Sequence, residues 1–396
     1  MEQPSVLSYT LAQYLKHNYQ IKMNRPPLDD QALREVQNVL ITACGTSYHA
    51  GLCARYVVEE LAQIPTVVEP ASECGRHHLL VDRSTLAIGV SQSGRSPDTL
   101  EALELASRRG ASTLAVVNDA DSPLAALAAG SLLTLAGKTF SMSSTKAFTS
   151  QLLVLALLGL RLAQSRGLPR EQWRREVDCF SALPELFRAA LMRGGLESKV
   201  KDLAGLLGGY RGCFILGRGH LHPMALEGAL KLKEVAKIHS EGYLVGEFGH
   251  GPLALASPET PVIMFSFSDE NDPNALPLAA ELKRRGVPLV LISDGGPNKD
   301  QAIASLADRF LPLPTAPARL RPMIAVIPLQ LLACHLGVLK GLDVDRPGGA
   351  LSPELHSGGP EARGPLVSGS NGGSDGGCRG GSDGGDGGSN GRRHLV

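Results

Sequence analysis

The sequence predicts an α/β protein: two similar doubly wound units with mostly parallel sheets, followed by a disordered, Gly-rich tail. Three observations carry this. Short apolar or β-branched runs alternate with stretches of helical period, the pattern of βαβ units. The order of these elements then recurs: Ile41 runs into Gly45 and a helix, as Phe214 to Leu216 runs into Gly217-Arg218-Gly219 and a helix. Past Arg346 the composition collapses to Gly, Ser, Asp and Pro without Phe, Tyr or Trp, a chain with too little apolar surface to offset its ordering entropy.

Taken in order, residues 1–34 read as a helical lead-in (Val6 to Tyr19) and a Pro-rich linker at Pro26-Pro27. The first unit, 35–170, starts with a β-type run at Val39 to Thr42, a helix at Tyr48 to Leu61 and a second β-type run at Pro65 to Val68. Leu86 to Val90 is an apolar run of strand length, stopped by Ser91-Gln92-Ser93-Gly94; Asp98 to Arg109 is helical with Gly110 as its stop, and Thr113 to Val117 is the next strand. Thr149 to Arg193 is a helical connection into the second unit, 171–346. There Pro261 to Ser268 echoes Leu86 to Ser93, Leu276 to Arg285 echoes the helix ending at Gly110, and Leu289 to Ser293 echoes Thr113 to Val117. Where the first copy has Ser93-Gly94-Arg95-Ser96 the second has Asp269-Glu270-Asn271-Asp272, so only the first keeps a hydroxyl loop. Residues 347–396 form the tail.

With 396 residues, 43% of them hydrophobic, and a formal net charge of zero, the chain can bury two cores and lacks the basic footprint of a nucleic-acid or membrane-surface binder. Met1-Glu2-Gln3-Pro4 does not open a signal peptide, and the seven scattered cysteines suggest neither zinc nor a disulfide framework, so a cytoplasmic setting is expected. Leu152 to Leu160 is strongly apolar but ends at Arg161, which predicts a core helix rather than a membrane span.

Candidate chemistry concentrates between Ala225 and Pro252. On a helix, Glu227, Lys231 and Glu234 fall at i, i+4 and i+7 and make one charged stripe flanked by Met224, Leu230 and Ile238. An exposed i,i+4 ion pair is the simpler reading of Glu227 and Lys231; the apolar flanks favour a stripe facing an interior or a cleft, where carboxylates and amines pair or shift their protonation. Gly249-His250-Gly251-Pro252 then forces a loop presenting a histidine suited to proton transfer. In the first unit, Ser91-Gln92-Ser93-Gly94-Arg95-Ser96 follows a strand and opens a helix, offering hydroxyls and free N–H groups to an anion. Cys44-Gly45-Thr46-Ser47 repeats this design, and Ser143-Ser144-Thr145-Lys146 is a third cluster. Each alone reads first as a simple N-cap; three at the carboxyl ends of strands in one unit point to a ligand. Competing motifs are incomplete: Gly89-Val90-Ser91-Gln92-Ser93 lacks the last glycine of a nucleophile elbow, Gly217-Arg218-Gly219 lacks the third glycine of a dinucleotide site, and there is no Walker A sequence.

Together, SQSGRSPDTL, SSTKAF, GRG and ALEGALKLKE followed by GHGPLAL resemble the paired sugar-isomerase (SIS) domains of glucosamine-6-phosphate synthase and the related glucosamine-6-phosphate deaminases, from Glu2 to about Asp345. The resemblance implies that Thr46, Ser47, Ser91, Gln92, Ser93, Ser96 and Ser144 hold the phosphate and sugar hydroxyls. It implies that Glu234 moves a proton between C1 and C2 assisted by Lys231, and that His250 opens the sugar ring from a neighbouring subunit, hence a homodimer. The chemistry it implies needs no metal or organic cofactor. The synthase's glutaminase domain has no counterpart among these residues, so glutamine hydrolysis is not expected. One departure stands out: after Asp343-Val344-Asp345-Arg346-Pro347 the family carries a short segment with a lysine near the sugar, whereas here no lysine follows Lys340. The leading expectation is a deaminase/isomerase interconverting glucosamine 6-phosphate with fructose 6-phosphate and ammonia; the alternatives are an isomerase or deglycase for another hexose phosphate and a non-catalytic sugar-phosphate-binding regulator.

Overall fold

The computed structural model describes residues 2–347 apart from 17–18, 24–28, 77–79, 139–142, 193–194, 268–271 and 296–298. The Pro26-Pro27 linker, the Asp269-Glu270-Asn271 stretch and the Gly-rich tail from Gly348 onward lie outside the described residues.

Helix α1 (Gln3–Tyr14) is started by Pro4 in its first turn and packs Leu7, Leu11 and Tyr14 into the core. It stops earlier than the predicted Tyr19, because Leu15 and Ile21 pair as an antiparallel bridge, with Lys16 N–H donating to the Gln20 carbonyl at 2.9 Å and Lys22 N–H to the Tyr14 carbonyl at 2.7 Å. After α2 (Asp30–Glu35), capped by the Asp29 carboxylate, the first unit runs β1 (Asn38–Ala43), α3 (Gly45–Val57), β2 (Thr66–Pro70), β3 (Thr85–Ser91), α4 (Pro97–Arg108), β4 (Ser112–Val117), α5 (Pro123–Leu127) and β5 (Gly130–Leu133). A π-helical turn, Val58–Ala62, extends α3. Four helices follow: α6 (Lys146–Ser165), α7 (Arg170–Ser181), α8 (Leu183–Met192) and α9 (Leu196–Leu207). The second unit runs β6 (Gly212–Gly217), α10 (His222–Ala236), β7 (His239–Leu244), α11 (Val245–Phe248), β8 (Val262–Phe265), α12 (Ala275–Arg284), β9 (Leu289–Ser293), α13 (Lys299–Leu306), β10 (Arg309–Pro312) and α14 (Arg321–Leu339).

Both five-stranded sheets are parallel throughout, with orders β2-β1-β3-β4-β5 and β10-β9-β8-β6-β7. Read from its own first strand, the second sheet has the same order as the first, so the repeat seen in sequence is a repeat of topology. All seven residues of β3 are buried, as expected of a central parallel strand covered by helices on both faces. In each unit the order reverses beside the first strand, which opens a crevice at the carboxyl ends of β1 and β3.

Two helices are long and apolar enough to cross a membrane by length and composition, α6 and α14, but 89% and 72% of their apolar stretches are buried inside the fold. The apolar run expected at Leu152 to Leu160 is thus part of a 20-residue helix, and its burial among other elements, rather than shortness, marks it as a core helix.

Helix α10 is where the halves meet. A Cβ on Gly228 would lie 2.3 Å from Leu329 Cδ1 of α14 and 3.1 Å from Ile215 Cδ1 of β6, and one on Gly242 of β7 would lie 2.6–2.8 Å from the backbone of Ala225 and Leu226. The helix is clamped between its own sheet and α14, and its remaining face turns to α3 of the first unit through contacts with Thr46 and His49.

Candidate active site

The hydroxyl clusters are not spent as helix caps. Ser96, Cys44 and Thr145 occupy the N-cap positions of α4, α3 and α6, and none makes a side-chain cap hydrogen bond. Instead Ser91 Oγ accepts from the Gly94 N–H at 3.1 Å and lies 3.0 Å from Ser96 Oγ, so the loop after β3 folds on its own hydroxyls. Ser93 Oγ accepts from the Arg95 N–H at 3.3 Å, and Ser47 Oγ accepts from Gln151 Nε2 at 3.0 Å. The Arg95 side chain turns away to Asp119, 3.2 Å off and exposed on both sides.

Gly94 makes this loop possible. Its φ of +64° suits glycine, and an added Cβ would fall 2.2 Å from Ser122 Oγ and 2.4 Å from Ser122 Cβ. Gly94→Ala is therefore expected to cost about 1–2 kcal/mol of stability. Chemical denaturation measures this loss; an Ala variant as stable as the parent would show that Ser122 does not pack against the loop this closely.

Across the crevice, α10 supplies the charged stripe. Glu227 is fully buried and Lys231 nearly so, while the Glu234 side chain is 37% exposed. Lys231 Nζ lies 2.6 Å from Glu234 Oε2 and 3.5 Å from Glu227 Oε1. Thr46 Oγ1 donates to Glu227 Oε1 at 3.2 Å, and His49 Nδ1 stands 2.7 Å from Glu227 Oε2. The stripe is therefore a gradient: a sealed carboxylate at one end, an ammonium between, and an accessible carboxylate at the other. This excludes the simpler reading of an exposed i,i+4 pair.

A pocket of about 220 Å³ is lined by Cys44, Thr46, Ser47, Val90, Ser91, Gln92, Ser93, Ser96, Ser144, Lys231 and Glu234. Every substrate-binding candidate named from the sequence is in it, with Lys231 and Glu234. Its size lies below the about 300–1,000 Å³ of sites for drug-sized ligands and suits a small polar metabolite. His250 is the exception. It sits exposed after α11, tied by its backbone N–H to the Glu247 carbonyl at 3.0 Å, and does not line this pocket. The sequence reasoning missed His49. Its place, four residues into a helix after the Gly-Thr-Ser turn, held no signal until α10 was docked against it. Among the described residues no group of three or more His, Cys, Asp or Glu side chains is placed to hold a metal ion.

The SIS domain family matches residues 32–161 and 211–340, one match for each five-stranded sheet. The chain belongs to the SIS domain family. It is 38% identical over 351 residues to the glutamine–fructose-6-phosphate aminotransferase (isomerizing) of Mycolicibacterium smegmatis, covering 87% of this chain and 55% of that protein. To the protein of the same name from Bradyrhizobium diazoefficiens it is 40% identical over 353 residues, covering 87% and 56%. The chain thus spans about half the length of these curated relatives. Among solved structures, the C-terminal domain of glucosamine-fructose-6-phosphate aminotransferase from Francisella tularensis superposes with a TM-score of 0.80 at 32% identity, covering 87% of this chain and 96% of that one. The glucosamine-6-phosphate deaminase of Thermotoga maritima shares the fold, with a TM-score of 0.68 at 23% identity over 89% and 96% of the two chains.

Proposed function

We propose that this SIS-domain chain interconverts glucosamine 6-phosphate with fructose 6-phosphate and ammonia, acting as a deaminase/isomerase. The observation that carries the reading is the shared pocket: an accessible carboxylate, Glu234, braced by Lys231, opens into the same 220 Å³ cavity as the hydroxyl loop of Ser91, Ser93 and Ser96. The likeness to isomerizing aminotransferases supports the choice of hexose 6-phosphate.

In this reading the loop after β3, with the N-terminus of α4, receives the phosphate, and Thr46, Ser47, Gln92 and Ser144 receive hydroxyls. Glu234, as general base, takes the proton from C2 of the open-chain amino sugar, leaving an enolamine. The same carboxylate returns a proton to C1, and the resulting C2 imine adds water and expels ammonia, giving the ketose. Lys231, held between two carboxylates, fixes the Glu234 carboxylate beside the reacting carbons. His250 opens the ring from a second copy of the chain, which makes the working unit a homodimer; a cytoplasmic setting without nucleic acid or membrane fits such a metabolic role. These steps use only side chains of the protein.

Incubation with glucosamine 6-phosphate, reading ammonia and fructose 6-phosphate, tests the proposal. Equal amounts of both products are expected. Thermal stabilisation by the sugar phosphate without product would replace the enzyme by a sugar-phosphate-binding regulator, and no response at all would overturn both.

A further inference from the structure

The buried end of the α10 stripe is not explained by proton transfer at C1 and C2. Glu227 has no exposure and does not itself line the pocket; it reaches the lining only through Thr46 and Lys231. A carboxylate this deep is tolerated only when its oxygens are occupied by donors. Oε1 faces Thr46 Oγ1 at 3.2 Å and Lys231 Nζ at 3.5 Å; Oε2 faces His49 Nδ1 at 2.7 Å. Carboxylate oxygens accept, so this contact is a hydrogen bond in the His49 tautomer that carries its proton on Nδ1. His49 comes from α3 of the first unit and Glu227 from α10 of the second, so this bond fixes one half of the pocket against the other. His222, on the first turn of α10, is pushed below the usual histidine range, first by burial and second by His49.

We propose that His49 is a positioning residue of the site: its Nδ1–H holds Glu227 so that Glu227 aims the Thr46 hydroxyl and the Lys231 ammonium into the pocket. Thr46 and Lys231 both line the cavity, and both are tied to the same carboxylate. Without the His49 donor, Glu227 Oε2 loses its partner in a site closed to water. The carboxylate is then free to rotate, and Thr46 and Lys231 lose their shared anchor. The phosphate loop does not touch this bond, so binding of the anion persists while alignment of the reacting carbons fails. An error of about 1 Å in such alignment costs about a hundredfold in rate.

The inference rests on the deaminase/isomerase reading, and replacements at residue 49 separate the two. Asn places an amide N–H₂ where Nδ1 stands, Gln places its own further out near the position of Nε2, and Leu offers no donor. Turnover of glucosamine 6-phosphate is measured with purified full-length protein. His49→Asn is expected to stay within about threefold of the starting kcat. His49→Gln and His49→Leu should lose about ten- to a hundredfold in kcat, with KM shifting less than about threefold. Gln keeps a polar side chain of similar size, so it serves should His49→Leu fail to fold. Equal kcat for the Asn and Gln variants, or an Asn variant as slow as Gln, would overturn the positioning role alone. Absence of turnover by the unaltered protein would overturn the underlying reading and this inference with it.

Discussion

Glu234→Gln is expected to lower turnover of glucosamine 6-phosphate by about 10²- to 10⁴-fold while leaving the protein folded, because it removes the proposed general base without removing its shape. The amide oxygen of Gln still accepts from Lys231 Nζ, which now stands 2.6 Å from Glu234 Oε2, so the pocket keeps its form. The side chain is 37% exposed, and losing a partly solvated charge costs the fold little. Glu234 also lies at the far end of the stripe from the sealed Glu227, whose bonds to Thr46 and His49 are untouched. KM should therefore change little and kcat carry the loss, the signature of an interaction made in the transition state. A Gln variant retaining more than a tenth of the starting rate would assign the proton to another residue.

The second large effect concerns the clamp on α10. Gly242→Ala should destabilise the protein by about 3 kcal/mol, at the upper end of overpacking penalties, because the new methyl meets backbone rather than a side chain that can swing away. Its Cβ would stand 2.6 Å from Leu226 N, 2.7 Å from Ala225 C and 2.8 Å from Ala225 O. Relief requires α10 to lift from β7, and α10 carries Glu227, Lys231 and Glu234, so activity should fall with stability. Gly205→Ala is the matched control: it sits within α9 with nothing inside 4 Å of its Cβ, and should gain about 0.5–1 kcal/mol from helix propensity. Chemical denaturation of the two variants measures both signs; a Gly242→Ala protein as stable as the parent would show that α10 is not packed against β7 this tightly.

Much of the architecture was legible from period and punctuation. The strand at Leu86 to Val90 was visible because a central parallel strand is apolar on both faces, and the repeat was visible because each unit must bury a sheet with the same succession of elements. The pocket wall was legible for a different reason: hydroxyls grouped after strands are costly unless something uses them, and here they are not caps. Helix ends were less legible. The lead-in helix stops at Tyr14 because Leu15 turns to pair with Ile21, a contact set by tertiary placement rather than by propensity. His49 could not be read at all, since its meaning comes from a residue 178 positions away along the chain. His250 illustrates the opposite limit, a residue marked by its motif that does not line the pocket.

The most direct test of the central claim, that Glu234 exchanges a proton with a hexose anchored by the loop after β3, is isotope exchange in heavy water. Fructose 6-phosphate and ammonium are incubated with the protein in D₂O and followed by NMR. Deuterium entering C1 of the ketose and C2 of the amino sugar, and vanishing in Glu234→Gln, is the predicted result. Deuterium uptake that is unaffected by the substitution, or substrate bound without any exchange, would contradict the account.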